Sequence, residues 1–278
     1  MENLRDWVGR TETVHDDLAV SQAQAAAATF DEPIDAFARG AELPVPWHWF
    51  YFLPRAAQRQ LDDDGHPRRG GFLPPVPYPR RMFAGSRLTV HRPLVLGEPA
   101  TREGVIRDVQ LKSGKSGNLA FVTVGYTFVQ RGETALEEEQ DIVYREPGPP
   151  VAAPVASEWP PAQAGAWTRT ITPDSRLLFR FSALTFNAHR IHYDRPYARD
   201  VEGYPGLIVH GPLTAALLAQ LVRSRETRPI RQFTFRGVAP LFDLAPYRLV
   251  AMPNGSTVDL EAQAPDGRVA LQASATLG

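Results

Sequence analysis

The chain has 278 residues, a formal net charge of -1, 43% hydrophobic and 22% charged residues, and no cysteine. This balance supports a folded core and argues against wholesale disorder. The near-neutral charge lacks the basic footprint of a nucleic-acid binder, and the lack of cysteine removes disulfides, thiolate metal sites and a cysteine nucleophile together.

The length fits one large domain or two modest ones. The first residues carry both signs of charge, and no stretch is apolar enough to span a bilayer, so a cytoplasmic protein without a membrane partner is expected. Asp16 and Asp17 suit the positive start of a helix, which the alanine run 23–28 extends to Phe30 before Pro33 stops it. Residues 43–55 (LPVPWHWFYFLPR) are dense in aromatics and read as core or lid packing rather than ligand contact. Residues 62–81 (DDDGHPRRGGFLPPVPYPRR) are too rich in Pro and Gly for regular structure, and long loops of this kind are often functional.

From residue 87 the texture becomes β. Strands are predicted over 87–92, 104–111, 118–129 and 140–144, with turn chemistry in Lys112 to Gly117, giving an antiparallel sheet. Residues 148–165, rich in Pro and Ala, read as an extended linker between an N-terminal half (1–147) and a C-terminal half (166–278). The order then repeats. A strand is predicted over 167–171, and Thr172 with Pro173 is a start signal for a helix carrying Leu177, Leu178 and Phe181. A polar loop runs over 185–206. A second helix opens at Pro212, with Leu213, Leu217, Leu218, Leu221 and Val222 at helical spacing. Strands are predicted over 232–238, 247–252, 257–262 and 269–276. Two α+β halves follow, without a strong residue-level repeat.

The chemistry concentrates in FSALTFNAHRIHYDRPYA, residues 181–198. His189 and His192 stand three apart, with Asn187 before them and Asp194 after, and His210 lies further on in LIVHGPL. Histidine is the side chain best suited to moving protons near neutral pH. A lone loop histidine means little; two in one short loop beside an amide and a carboxylate weigh evenly between chance and function. Gly211, entering the leucine-rich helix, allows close approach to unpaired N–H groups that could stabilise a developing negative charge.

These residues resemble the catalytic loop of MaoC-like, R-specific enoyl-CoA hydratases, which have the hot-dog fold. The family pattern is an aromatic and Ser, then Gly-Asp-x-Asn-Pro-aliphatic-His. Phe181-Ser182 match its opening, and residues 186–192 fall on its core. The family Asp falls on Asn187, its Asn on His189 and its Pro on Arg190, whereas His192 matches without substitution. PWHWFYFLP, DGHPRRGGFLPPVPYPRRMFAG, EEQDIVYRE and TFNAHRIHYD resemble the branch of 3-methylfumaryl-CoA (mesaconyl-CoA) hydratases, itself similar to itaconyl-CoA hydratases, with a degenerate N-terminal half.

The resemblance implies an α+β double hot-dog, two antiparallel sheets each wrapping a central helix and pairing with one another, and a catalytic C-terminal half. It implies a hydratase acting on an α,β-unsaturated thioester of CoA or acyl carrier protein, in a homodimer, with neither cofactor nor metal. His192 would transfer the proton, Asn187 orient water, Gly211 N–H serve the thioester oxygen, and His189 or Asp194 supply the second proton-transfer group. His210 and Arg236 would contact substrate or CoA, and Arg190 a substrate carboxylate. A hot-dog thioesterase and a non-catalytic acyl-thioester-binding protein remain the alternatives.

Overall fold

Alternation of apolar and polar residues drives ten strands into one antiparallel sheet. The computed structural model describes residues 4–114, 117–155 and 158–278. The N-terminal strands are β1 (Thr11–Asp16), β2 (Arg80–Val90), β3 (Ala100–Gly114), β4 (Gly117–Gln130) and β5 (Glu133–Arg145). The C-terminal strands are β6 (Trp167–Ile171), β7 (Ile230–Gly237), β8 (Tyr247–Asn254), β9 (Thr257–Gln263) and β10 (Val269–Leu277). Their spatial order is β1-β3-β4-β5-β2-β7-β10-β9-β8-β6, so each half contributes five strands in the same arrangement, and β2 meets β7 at the junction. This is a double hot-dog whose two sheets join edge to edge. Arg131 and Gly132, both at positive φ, make the two-residue turn between β4 and β5.

The helices are unequal between the halves. The N-terminal half has α1 (Val20–Thr29); the C-terminal half has α2 (Ser175–Leu184) and α3 (Gly211–Arg223). Every residue of α3 from Leu213 to Val222 is buried, as expected of a helix that is apolar on all sides. It packs against β6 to β10 and against β2. Among the described residues no helix is long and apolar enough to cross a membrane.

Two local expectations change. Residues 11–16 form a strand, and Asp16 starts no helix. Its carboxylate accepts the N–H groups of Leu18 (3.0 Å) and Phe52 (3.1 Å), tying the chain to the aromatic segment. The cap of α2 is Asp174, which accepts Leu177 N–H at 2.8 Å, and not Thr172. Within the predicted linker, Trp159 Nε1 donates to Ala264 O at 2.8 Å and Val151 N–H to Gly203 O at 2.9 Å, so these two residues contact the C-terminal half. Lys115 and Ser116 of the predicted turn, and Ala156 and Ser157 of the predicted linker, lie outside the described residues.

The aromatic segment fills the core of the N-terminal half. Trp47, Phe50 and Phe52 are fully buried, and Trp47 stacks on Phe37 at 4.7 Å. The same segment supplies donors to a carboxylate that has lost all contact with water. Glu138 accepts His48 Nε2 (2.9 Å), Trp49 Nε1 (2.9 Å) and Ser86 Oγ (2.6 Å). Burial raises its pKa, and these partners outweigh that and hold it below the ordinary carboxylate value. Glu138→Ala would strand three buried donors and open a cavity. We expect it to cost about 3–5 kcal/mol in urea unfolding, as for one partner removed from a buried ion pair; a loss below about 1 kcal/mol would show that the network carries little.

Candidate active site

The sequence TFNAHRIH folds as a tight loop because Phe186 takes a positive φ of 49° and Asn187 closes an Asx turn, its Oδ1 accepting His189 N–H at 3.0 Å. A single 3-10 turn, Arg190–His192, then carries His192 inward. His192 is 7% exposed, and its Nδ1 lies 2.8 Å from Ile208 O. A carbonyl only accepts, so Nδ1 carries the proton and Nε2 keeps its lone pair. Burial pushes the His192 pKa down to about 4. At neutral pH the ring is therefore a neutral acceptor of fixed tautomer.

His210 caps the start of α3 behind it. Its ring stacks on His192 at 3.6 Å, and its Nε2 pairs with Ser182 Oγ at 2.9 Å. It is 2% exposed and packs against His192. His189, also buried, stands edge-on to His192 at 5.5 Å. Burial, then its histidine neighbours, then Arg81 hold its pKa far below the ordinary value. Gly211 opens α3, and no acceptor for its N–H lies among the described residues. A Cβ placed there would meet only Phe83 O, at 3.8 Å, so the α-carbon of Gly211 is open to close approach.

Three of the sequence-derived candidates have other partners in the structure. Asp194 binds no histidine: it grips Arg190 (2.8 and 3.0 Å) and accepts Tyr197 N–H (3.1 Å). The tautomer of His192 is set by a backbone carbonyl instead. Arg190 is held by Asp194 and by Asp63 O (3.0 Å), and lies over the Tyr197 ring, so its fork is not free for a substrate carboxylate. Arg236 lies on β7 between residues that face the sheet's opposite side. Phe235 packs into the core, while Arg236 is exposed and bonded to Gln272 at 2.8 Å. Strand alternation thus turns it away from the histidines.

The structure adds residues that the sequence did not single out. The loop before β2 folds onto the catalytic loop: Arg190 N–H donates to Asp64 O at 2.9 Å, and a Cβ on Gly65 (φ +92°) would overlap Ala188 O. This brings His66 to 4.1 Å from His189, ring to ring. Asp64 accepts both His66 N–H (2.8 Å) and His66 Nδ1–H (3.1 Å). The guanidinium of Arg81, half-buried on β2, has neither hydrogen bond nor ion pair among the described residues; burial lowers the pKa of both His66 and His189, and the charge of Arg81 adds to that shift. The only advance signals were an Asp-Gly-His triplet and paired arginines inside a Pro/Gly-rich stretch.

Asp64, His66 and His189 are the residues that could hold a cation, each offering a ligand atom within 4.8 Å of the others. The charges of Arg69 and Arg81 bear on the same place, and Asp64 is already committed to His66. A positive field and a spent carboxylate suit proton movement better than metal binding.

The fold is shared with solved dehydratases. A MaoC-like dehydratase superposes with a TM-score of 0.73 at 16% identity, over 99% of each chain. A Mycobacterium tuberculosis protein with a double hot-dog fold gives 0.58 at 14% identity, covering 98% of this chain and 96% of that one. Residues 46–243 match the family of hydroxyacyl-thioester dehydratase type 2. Mesaconyl-C(4)-CoA hydratase of Chloroflexus aurantiacus is 64% identical over 272 residues, 98% of this chain and 97% of the relative. The chain therefore belongs to the hydroxyacyl-thioester dehydratase type 2 family, and it is an enzyme of the hydro-lyase class.

The buried neutral histidines also make stability depend on pH. An unfolded histidine takes up its proton near pH 6.5, whereas His192 resists protonation until about 4, and His189 and His210 are lowered as well. Below 6.5 the unfolded state binds more protons, so stability must fall as pH falls through that window. Thermal melts should show Tm dropping by several degrees, on the order of 5 °C, between pH 7 and pH 5. A flat Tm over that range would mean these rings are not neutral in the folded state.

Proposed function

We propose that this enzyme adds water across the double bond of an enoyl-CoA that bears a free carboxylate, with 3-methylfumaryl-CoA (mesaconyl-C4-CoA) or itaconyl-CoA as the substrate type. The observation that carries the reading is His192, buried and neutral, with Nδ1–H held by Ile208 O and Nε2 left to accept a proton. Hydration needs such a base to take a proton from water as its oxygen attacks the β-carbon. The electron pair of the double bond then moves onto the thioester oxygen, for which the unpartnered Gly211 N–H at the positive end of α3 is a suitable donor. Asn187 spends its Oδ1 on His189 N–H, so its Nδ2 remains to orient the water.

The similarity to a mesaconyl-C(4)-CoA hydratase supports the acyl group. The guanidinium of Arg81 supports the carboxylate: it is the same chemistry that the sequence assigned to Arg190, on a side chain that no carboxylate among the described residues occupies. A thioesterase would need water directed at the carbonyl carbon; assaying free thiol against loss of the double bond separates the two reactions.

Two measurements test the reading. His192→Ala should stay folded and lose turnover by roughly a hundredfold to ten-thousandfold, and near-normal turnover would remove His192 from the mechanism. Arg81→Gln should raise KM for a carboxylate-bearing enoyl-CoA by about tenfold or more, the range of a lost charged hydrogen bond, and leave crotonyl-CoA unaffected. Equal effects on both substrates would refute Arg81 as the carboxylate contact.

A further inference from the structure

Hydration has a second proton to place. The α-carbon must be protonated, and this chain lacks the carboxylate expected at residue 187 to share that work. Asn187 is an amide and exchanges no proton under these conditions. Asp194 is ion-paired with Arg190. His189 and His210 have no carboxylate partner, and His210 lies behind His192. Among the four imidazoles of the cluster, His66 alone carries a carboxylate, with Asp64 Oδ2 at 3.1 Å from Nδ1.

Resting on the hydratase reading above, we infer that the Asp64–His66 pair, lent by the N-terminal half, is the acid that complements His192 as base. The loop carrying it is built to be rigid. Leu61 bridges Pro67, Asp62 N–H donates to His66 O at 2.8 Å, and Gly65 N–H to Asp62 O at 2.9 Å. Backbone and side chain of Arg190 clamp it from the other half through Asp64 O and Asp63 O. Asp64 fixes the ring so that Nδ1–H faces the carboxylate and Nε2 is the free atom. Burial lowers the His66 pKa; the carboxylate opposes that shift and gives an imidazolium a counter-charge, which Ile208 O, a neutral carbonyl, cannot do for His192.

The step balances as follows. Water oxygen bonds to the β-carbon, and its proton goes to Nε2 of His192. The π pair moves to the thioester oxygen, forming an enolate. The enolate collapses, and its α-carbon takes the proton from Nε2 of protonated His66, leaving that ring neutral beside Asp64. His192 then holds the extra proton. His189 contacts both rings, at 5.5 Å from His192 and 4.1 Å from His66, and offers a route by which the proton returns. One water has been added, with no oxidant or reductant.

The test uses the full chain and a carboxylate-bearing enoyl-CoA. His66→Ala should lower kcat by roughly a hundredfold with KM changed little, and added imidazole should restore part of it. Asp64→Asn should move the basic limb of the kcat/KM profile to lower pH, because the acid form of His66 loses its counter-charge. Folded His66→Ala with kcat within threefold of wild type would overturn the inference, as would a loss that imidazole does not rescue. Should His66→Ala fail to fold, Asp64→Asn decides alone, and an unmoved basic limb overturns it. Wild-type turnover separates the failures. A wild type that hydrates no enoyl-CoA sinks the hydratase reading and this inference with it; an active wild type with an equally active His66→Ala sinks this inference only.

Discussion

The antiparallel pairing of β2 with β7 is the constraint on which the site depends. From Gly85 opposite Arg236 to Thr89 opposite Gln232, it fuses two five-stranded sheets and fixes how the halves face one another. Gly85 is needed there, since a Cβ would come within 2.5 Å of Phe235 O. The bulge between Phe83 and Gly85 shifts the alternation along β2, so that Phe83 packs on Trp49 and Phe235 while its carbonyl lies near the start of α3. Arg81, two residues earlier, follows the same face toward the histidines. The loop that precedes β2 is thereby delivered onto the catalytic loop. One strand pairing thus sets how His189 and His192 of one half meet the Asp64–His66 pair of the other.

Within that frame, burial does the electrostatic work. Moving an imidazolium out of water is costly, so His189, His192 and His210 are held neutral. Neutrality alone would leave each ring free to choose its tautomer. Ile208 O chooses for His192, and Asp64 for His66. The two choices differ in kind. A carbonyl orients a ring and favours its charged form through one hydrogen bond, while a carboxylate adds a counter-charge. Burial holds both His192 and His66 below the ordinary value, and Asp64 opposes it at His66.

Much of the fold was legible in the sequence because it rests on periodicity. The strand textures after residues 87 and 230, and the leucine spacing from Pro212, mark elements whose apolar faces must be buried, and the structure differs there only at the ends. The strand at 11–16 was not legible: its alternation, TETVHD, has no strongly apolar face, and Asp16 looks like a helix cap until Phe52 N–H is seen to use it. His189 and His192 were legible as neighbours in the chain. Partners at long range were not. Asp194 is two residues from His192, yet it is spent on Arg190; Asp64 reaches its neighbour His66, and what the sequence hid is that this pair lands against His189, more than a hundred residues on. Sequence proximity is a fair guide to who can be near, and a poor guide to who is already occupied.

The asymmetry of the halves has a physical rationale. In the C-terminal half α3 fills the sheet's concavity and presents its N-terminus to the site. In the N-terminal half the stretch between β1 and β2 holds α1 and short 3-10 turns, with Trp47, Phe50 and Phe52 filling the core instead. Relieved of building a helix-terminus site of its own, that stretch is free to run as the long Pro- and Gly-rich segment that closes over its neighbour. Gly65 shows how far the closure goes: its α-carbon lies so close to Ala188 O that no side chain fits between them. A loop packed at backbone contact cannot be a loosely draped cover. It holds Asp64 and His66 as firmly as the catalytic loop holds His189 and His192, and a dissociable partner subunit would have to pay for that ordering at each encounter, whereas two halves of one chain meet it once, on folding.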